Sequence, residues 1–127
     1  MLDRIVNLNL INNTISEFGW YKCRNINEFR FFIDKNKYYE DICVLEIVLE
    51  YKGTENYLIT IHLKELGPYE LRAGGSRIQL SCFQIEDIRD LGWNELNYKI
   101  TDCEMDSGIK IFCKNIEITS IEPCEQY

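Results

Sequence analysis

Residues 43–64, CVLEIVLEYKGTENYLITIHLK, contain the pattern that decides the fold. Apolar side chains occupy every second position from Cys43 to Tyr51 and again from Tyr57 to Leu63, and residues 52–56 separate the two runs. Such alternation is typical of strands with one buried face, and a short connection that contains a glycine joins antiparallel neighbours. The stretch therefore predicts a β-hairpin, with His62 as an exposed residue on its outward face.

Further apolar runs continue the β pattern towards the C-terminus. Residues 78–82 alternate, and the phase changes at Phe83, which a β-bulge in a continuous strand would explain. Residues 96–100, 109–113 and 116–118 alternate as well, and turn-forming residues separate the first two of these runs. We expect three more strands here, arranged as a second antiparallel meander.

The first forty residues fit more than one structure. Val6, Leu8 and Leu10 alternate as in an edge strand, whereas residues 14–17 match a helical capping box. Residues 25–33 fit a second helix or a strand equally well, so both alternatives stay open at this point.

Together these patterns predict a mainly β fold, either a curved antiparallel sheet or a β-sandwich, with one or two short N-terminal helices. The length of 127 residues corresponds to a single domain, residues 1–127. Free sheet edges usually carry charges that prevent edge-to-edge pairing, and Glu46 and Lys110 are candidates for that role.

The charge balance argues against two classes of partner. The formal net charge is −7, with 14 basic and 21 acidic residues, so the chain has no cationic footprint for nucleic acid or for an anionic membrane. The acidic excess lies mainly in residues 65–127. We expect either a solubilising surface or a face that attracts a basic protein. Because Asp3 and Arg4 interrupt the start and no signal-like apolar run follows, we expect a cytoplasmic protein.

Residues for catalysis or metal binding do not form a recognisable pattern. His62 is the single histidine, and the six cysteines include no C-x-x-C pair, so we expect reduced thiols, no metal, no cofactor and no catalytic residues. The segment 102–113 resembles a calcium loop, but Ser107 and Cys113 stand where an EF-hand requires glycine and glutamate.

The C-terminal part of the chain resembles a known group of proteins. The resemblance rests on the run from Arg77 to Pro123, namely Ile78-Gln79-Leu80, Phe83-Gln84-Ile85-Glu86-Asp87, Gly92-Trp93, Tyr98-x3-Asp102-x-Glu104 and Ile111-Phe112-Cys113-x2-Ile116-Glu117-Ile118. It is similar to small β-rich proteins of Gram-positive bacteria, several of which look like immunity proteins of polymorphic-toxin systems. The resemblance implies a protein that binds and neutralises a toxin.

The candidate partner-binding residues are acidic side chains of the C-terminal half and one aromatic anchor. A basic toxin would be attracted by the acids, and tryptophan is a frequent interface hot spot. These candidates are Glu86, Asp87, Asp90, Trp93, Asp102, Glu104 and Asp106.

Two alternatives to toxin neutralisation remain. In the first alternative, the chain is an accessory or structural protein without a toxin partner. In the second, it is a small-ligand binder that uses a pocket lined by the sheet. The oligomeric state does not follow from the sequence.

Overall fold

One antiparallel sheet dominates the computed structural model, which describes residues 4–71, 78–80, 83–89, 96–102 and 109–124. Seven strands in this part of the chain follow the order β4-β1-β2-β3-β7-β6-β5. They are β1 (Cys23–Lys35), β2 (Asp41–Lys52), β3 (Asn56–Leu71), β4 (Ile78–Gln79), β5 (Phe83–Asp87), β6 (Tyr98–Asp102) and β7 (Ile109–Pro123), preceded by helix α1 (Leu8–Thr14) and a 3₁₀ turn (Trp20–Lys22). This confirms the mainly β fold with a curved antiparallel sheet and a short N-terminal helix.

The hairpin predicted from residues 43–64 lies at the centre of the sheet. β2 and β3 pair without interruption from Lys52↔Asn56 to Val44↔Lys64. Each fully enclosed aliphatic side chain contributes about 1.5–3 kcal/mol to folding through burial. Of the positions predicted to face inwards, Cys43 is partly exposed and the others are buried, namely Leu45, Ile47, Leu49, Tyr51, Tyr57, Ile59, Ile61 and Leu63.

The N-terminal segment, residues 5–22, covers one end of the sheet. Ile11 and Ile15 belong to the buried apolar cluster. The ring of Phe18 stacks on that of Tyr51 at 5.1 Å, and the ring of Trp20 lies 6.1 Å from that of Phe83. Phe18 and Trp20 lie at the end of β2 that carries Tyr51, whereas Val6, near the start of the segment, bridges Glu117 on β7.

The last two predicted strands are one strand, and the reason lies in its neighbour. On β7, Cys113 and Ile116 are both buried although they are three residues apart, and on β3 Leu63 and Leu66 show the same spacing in the core. Glu65 lies between the latter two with a φ of 55°. A left-handed residue turns the following side chains to the other face, so the apolar phase changes while pairing with β7 continues.

At residues 78–85 the prediction of one bulged strand is wrong. The change of phase before Phe83 is not a bulge within one strand, because β4 pairs with β1 at one edge of the sheet and β5 pairs with β6 at the other. The chain therefore leaves one edge and starts again at the opposite one. The expected edge charges are also misplaced, since Glu46 lies on β2 and Lys110 on β7, which are both interior strands.

The N-terminal predictions are partly wrong as well. Val6 makes a single bridge to Glu117, but residues 8–14 form α1 instead of an edge strand. The helix ends where the capping box was expected to start one, and Glu17 has a left-handed φ of 57°. The open alternative at residues 25–33 is resolved as strand β1. Among the helices of the described residues, none is long and apolar enough to cross a bilayer.

Candidate functional site

Three large apolar side chains project from the second half of β1 into solvent. Phe29, Phe31 and Ile33 are 53%, 48% and 55% exposed. They pair across the sheet with Ile47, Leu45 and Cys43, so they lie on the same face as the core. Apolar clusters exposed on a folded surface mark sites of interaction more often than single exposed residues do.

An aromatic side chain from another strand extends this cluster. Tyr69 on β3 stacks against Phe31 with ring centroids 6.3 Å apart and is itself 45% exposed. Its register partner is Ile111, which places it on the core face as well. Phe29, Phe31, Ile33 and Tyr69 are called the β1 edge surface from here on.

The position of the N-terminal segment explains why this surface is exposed. Phe18 and Trp20 cover the end of the sheet that carries Tyr51 and Phe83. The β1 edge surface lies at the other end of β1 and β2, beside the turn that connects them. Side chains that alternate inwards along β1 therefore continue past the covered part of the core.

The backbone of β1 offers a second means of binding at the same place. Within the described residues, β4 pairs with β1 at Asn25 and Ile26, and no strand pairs with residues 28–35 on the side away from β2. The free N–H and C=O groups of an edge strand accept an added strand from another polypeptide. The apolar side chains and the backbone edge that no described strand covers thus lie on one segment.

Polar contacts on the opposite face hold this segment in place. The guanidinium of Arg30 lies 4.6 Å from the centre of the Phe32 ring and 3.5 Å from a carboxylate oxygen of Glu46. Glu46 Oε2 lies 2.7 Å from His62 Nε2, and His62 packs edge-on against Phe32 with the centroids 5.6 Å apart. These contacts connect β1, β2 and β3; in the strand register Glu117 of β7 lies opposite His62, and its carboxylate pairs with Lys64 at 2.6 Å.

The contacts of Glu46 also show what the histidine does. The hydrogen bond to His62 is the main cause that lowers the pKa of Glu46, and Arg30 adds to the effect. The side chain of His62 is only 18% exposed, so the prediction of a simple exposed residue is wrong, although its face is correct. Arg30, Glu46 and His62 thus link the outer faces of β1, β2 and β3, on the side of the sheet opposite the β1 edge surface.

The acidic residues predicted to bind a partner lie at the other edge of the sheet. Glu86 is exposed on edge strand β5, and Asp87 beside it is half-buried. The backbone N–H of Arg89 donates to Asp87 at 3.1 Å and is the main cause that lowers the pKa of Asp87. Asp102 on β6 is only 7% exposed, so its side chain offers little surface to a partner.

The remaining predicted residues, Asp90, Trp93, Glu104 and Asp106, lie outside the described residues. Among the predicted residues that the structure describes, Glu86 and Asp87 are neighbours on β5, and Asp102 lies on β6. The β1 edge surface was not predicted, because residues 25–33 fitted both a helix and a strand. The alternation of Phe29, Phe31 and Ile33 was the sequence feature that could have indicated a strand with these side chains on one face.

Two cysteines of the described residues, Cys23 and Cys113, are buried in the core. Burial raises the pKa of Cys113 to about 12 and that of Cys23 further still. Thiols of this kind stay protonated and behave as small apolar side chains. No group of three or more histidine, cysteine or acidic side chains suited to a metal ion occurs in the part of the chain that the structure describes.

A groove of about 620 Å³ lies between the β1–β2 turn and the kinked part of β3 and β7. Tyr38 lines it, together with Lys35, Lys37, Lys64 and Lys114. Three of these lysines already have acidic partners, since Lys35 pairs with Asp41, Lys64 with Glu117 and Lys114 with Glu65.

Comparisons with protein-family models, with curated proteins and with solved structures gave no match to this chain.

Proposed function

We propose that this chain is a non-catalytic protein-binding domain that holds a polypeptide on its β1 edge surface. The observation that carries the proposal is the coincidence of about half-exposed Phe29, Phe31 and Ile33 with an open strand edge among the described residues. A partner that covers these side chains gains about 25 cal/mol for each Å² of apolar surface removed from water. Backbone pairing along the edge would add orientation to that apolar gain.

The partner in this proposal is a bacterial toxin, and the chain is its cytoplasmic immunity protein. The resemblance of residues 77–123 to immunity-type proteins supports this class. Neutralisation by binding needs an ordered surface and no reacting group, and the contacts of Glu46 with Arg30 and His62 tie β1 to β2 and β3. The net charge of −7 favours a basic partner.

The acidic residues have a different role from the apolar ones in this proposal. Charges at the rim of an interface mainly speed association, whereas buried aromatic anchors slow dissociation. Glu86 and Asp87 would therefore attract the toxin, and Phe31 would hold it. Asp90, Trp93, Glu104 and Asp106 remain predicted contacts of the same partner.

Coexpression in bacteria tests this function. Cells would express the growth-inhibiting polypeptide encoded beside this chain together with the wild-type chain, Phe31→Asp or Tyr39→Asp. Tyr39 is a matched control, because it is an aromatic residue that is 84% exposed and lies outside the β1 edge surface.

We expect growth with the wild-type chain and with Tyr39→Asp, and loss of growth with Phe31→Asp at equal expression. Growth with all three chains would show that neutralisation does not use the β1 edge surface. Inhibition with all three would overturn the immunity function itself.

The lysine-lined groove favours small-ligand binding as the second candidate function. Its volume of about 620 Å³ falls within the range of ligand pockets, and Lys37, whose ammonium lies 5.1 Å from the centre of the Tyr38 ring, is the lysine of this lining that would meet an anion. Calorimetric titration with inorganic phosphate and with citrate tests it. Heat that disappears in Lys37→Gln would support this function, and titrations without heat would reject it.

A further inference from the structure

The charged and apolar side chains along the edge of β1 are arranged so that two copies of this segment can pair with each other. The exposed segment, residues 28–35, reads E-F-R-F-F-I-D-K. Its odd-numbered apolar residues lie on the core face, and its even-numbered residues, Arg30, Phe32 and Asp34, lie on the other. Acidic and basic side chains thus flank an apolar centre on a strand with an open edge among the described residues.

Symmetry limits how two such edges meet. When two copies pair in antiparallel fashion about a two-fold axis, directly opposed side chains point to the same face of the joint sheet. A residue therefore pairs only with one of the same face, and the axis passes between two copies of one residue. Near the middle of the segment, the candidates for that central residue are Phe31, Phe32 and Ile33.

Charge distinguishes these three registers, because like charges placed directly opposite destabilise a sheet and opposite charges stabilise it. With Phe31 at the axis, Glu28 of one copy faces Asp34 of the other, which is repulsive. With Ile33 at the axis, Asp34 faces Phe32 and loses water without gaining a counter-ion.

The register centred on Phe32 pairs every charged side chain near the axis favourably. Arg30 of each copy faces Asp34 of the other, so two ion pairs flank the central phenylalanines. On the core face, Phe31 of each copy faces Ile33 of the other. Lys35 faces Phe29, which places an ammonium beside an aromatic ring.

We propose that, without its partner, this chain forms a dimer in which the β1 edges of two copies pair in this register. The dimer joins two sheets into one and removes the open edge from solvent, which protects the chain from uncontrolled edge-to-edge association. The proposal rests on the proposed function in one respect, since partner and second copy would occupy the same surface. Partner binding then requires the dimer to dissociate, so the dimer is the resting form.

Sedimentation velocity over a range of concentrations tests the dimer with the charged residues. We expect the wild-type chain to shift from monomer to dimer as its concentration rises. Arg30→Asp weakens the dimer at least about tenfold, because two attractive pairs become repulsive. The double variant Arg30→Asp/Asp34→Arg restores it, since the pairs are only exchanged, whereas Glu86→Lys on β5 leaves it unchanged.

Disulfide trapping tests the register independently of any loss of folding in the charge variants. Directly opposed residues have Cβ atoms about 4.5–5.5 Å apart, close enough for a disulfide after slight adjustment. Under mild oxidation we expect Phe32→Cys to form a covalent dimer much faster than Phe31→Cys, Ile33→Cys or the wild-type chain. Faster trapping by Phe31→Cys or Ile33→Cys would overturn the register.

Failure of this inference is distinguishable from failure of the proposed function. A chain that stays monomeric at all concentrations overturns the dimer, while loss of toxin neutralisation in Phe31→Asp would still support the function. Conversely, a Phe32-centred dimer together with normal neutralisation by Phe31→Asp supports the dimer and overturns the role of the β1 edge surface in toxin binding.

Discussion

A comparison of two phenylalanines tests whether the β1 edge surface is kept for binding or for folding. Phe83 is fully buried, whereas Phe31 is 48% exposed. A fully enclosed phenylalanine buries about 200 Å², so at about 25 cal/mol per Å² Phe83 contributes about 5 kcal/mol, close to the usual cost of Phe→Ala in a core. Phe31 hides about half as much surface and leaves no closed cavity.

We therefore expect Phe31→Ala to cost about 2 kcal/mol or less of the free energy of unfolding. That figure is below the simple area estimate because the unfolded chain already hides part of its apolar surface. Phe83→Ala is expected to cost about 3–5 kcal/mol, clearly more than Phe31→Ala. Urea denaturation at neutral pH measures both, with equal slopes required before the midpoints are compared.

Equal losses in the two variants would refute the reasoning, because Phe31 would then be a core residue in energetic terms. A small loss for Phe31→Ala with a large one for Phe83→Ala fits an exposed surface that gains its stabilisation only in a complex.

Four further predictions concern single groups. Folding lowers the pKa of Glu46, so its carboxylate stabilises the fold above its ordinary pKa and loses this contribution as the pH falls through the lowered value. Urea denaturation should therefore show that Glu46→Gln costs up to about 1 kcal/mol of the free energy of unfolding at pH 7 and nothing in strong acid. His62→Leu, which removes the hydrogen-bond donor, should raise the pKa of Glu46 in a carboxyl NMR titration, and an unchanged pKa would contradict the assigned cause. Cys113 should resist a thiol reagent at pH 8 until the chain unfolds, since burial raises its pKa to about 12, and rapid labelling of this residue in the folded chain would contradict that environment. At Glu65, with φ of 55°, substitution by Val should cost about 1–2 kcal/mol more than substitution by Asn, because Asn tolerates the left-handed conformation, and equal thermal stability would speak against the kink.

The central hairpin was predictable because its chemistry is local. Alternating side chains from Cys43 to Leu63 and a turn with Gly53 specify two paired strands whatever surrounds them. The break between β4 and β5 was not predictable from alternation, because a change of phase is the same in sequence whether the strand bulges or ends. The kink at Glu65 was hidden as well, since a glutamate gives no sign of a left-handed backbone.

The candidate site was harder to predict than the fold. Charge counts drew attention to Glu86, Asp87 and Asp102, and of these Asp102 proved buried. Phe29, Phe31 and Ile33 have the composition of core residues, and their exposure depends on where residues 5–22 pack. That packing is a tertiary property, so no local pattern distinguishes an exposed apolar strand from a buried one.

Hydrogen–deuterium exchange on the chain with and without the proposed toxin partner tests the central claim most directly. If the partner binds along the β1 edge, the backbone amides of residues 30–34 that point away from β2 become protected, together with reduced solvent access around Phe31 and Tyr69. The account predicts this protection in the wild-type complex and its loss in Phe31→Asp. The opposite result would contradict binding along the β1 edge: protection confined to β5 and β6, while β1 exchanges as fast as in the free monomeric chain.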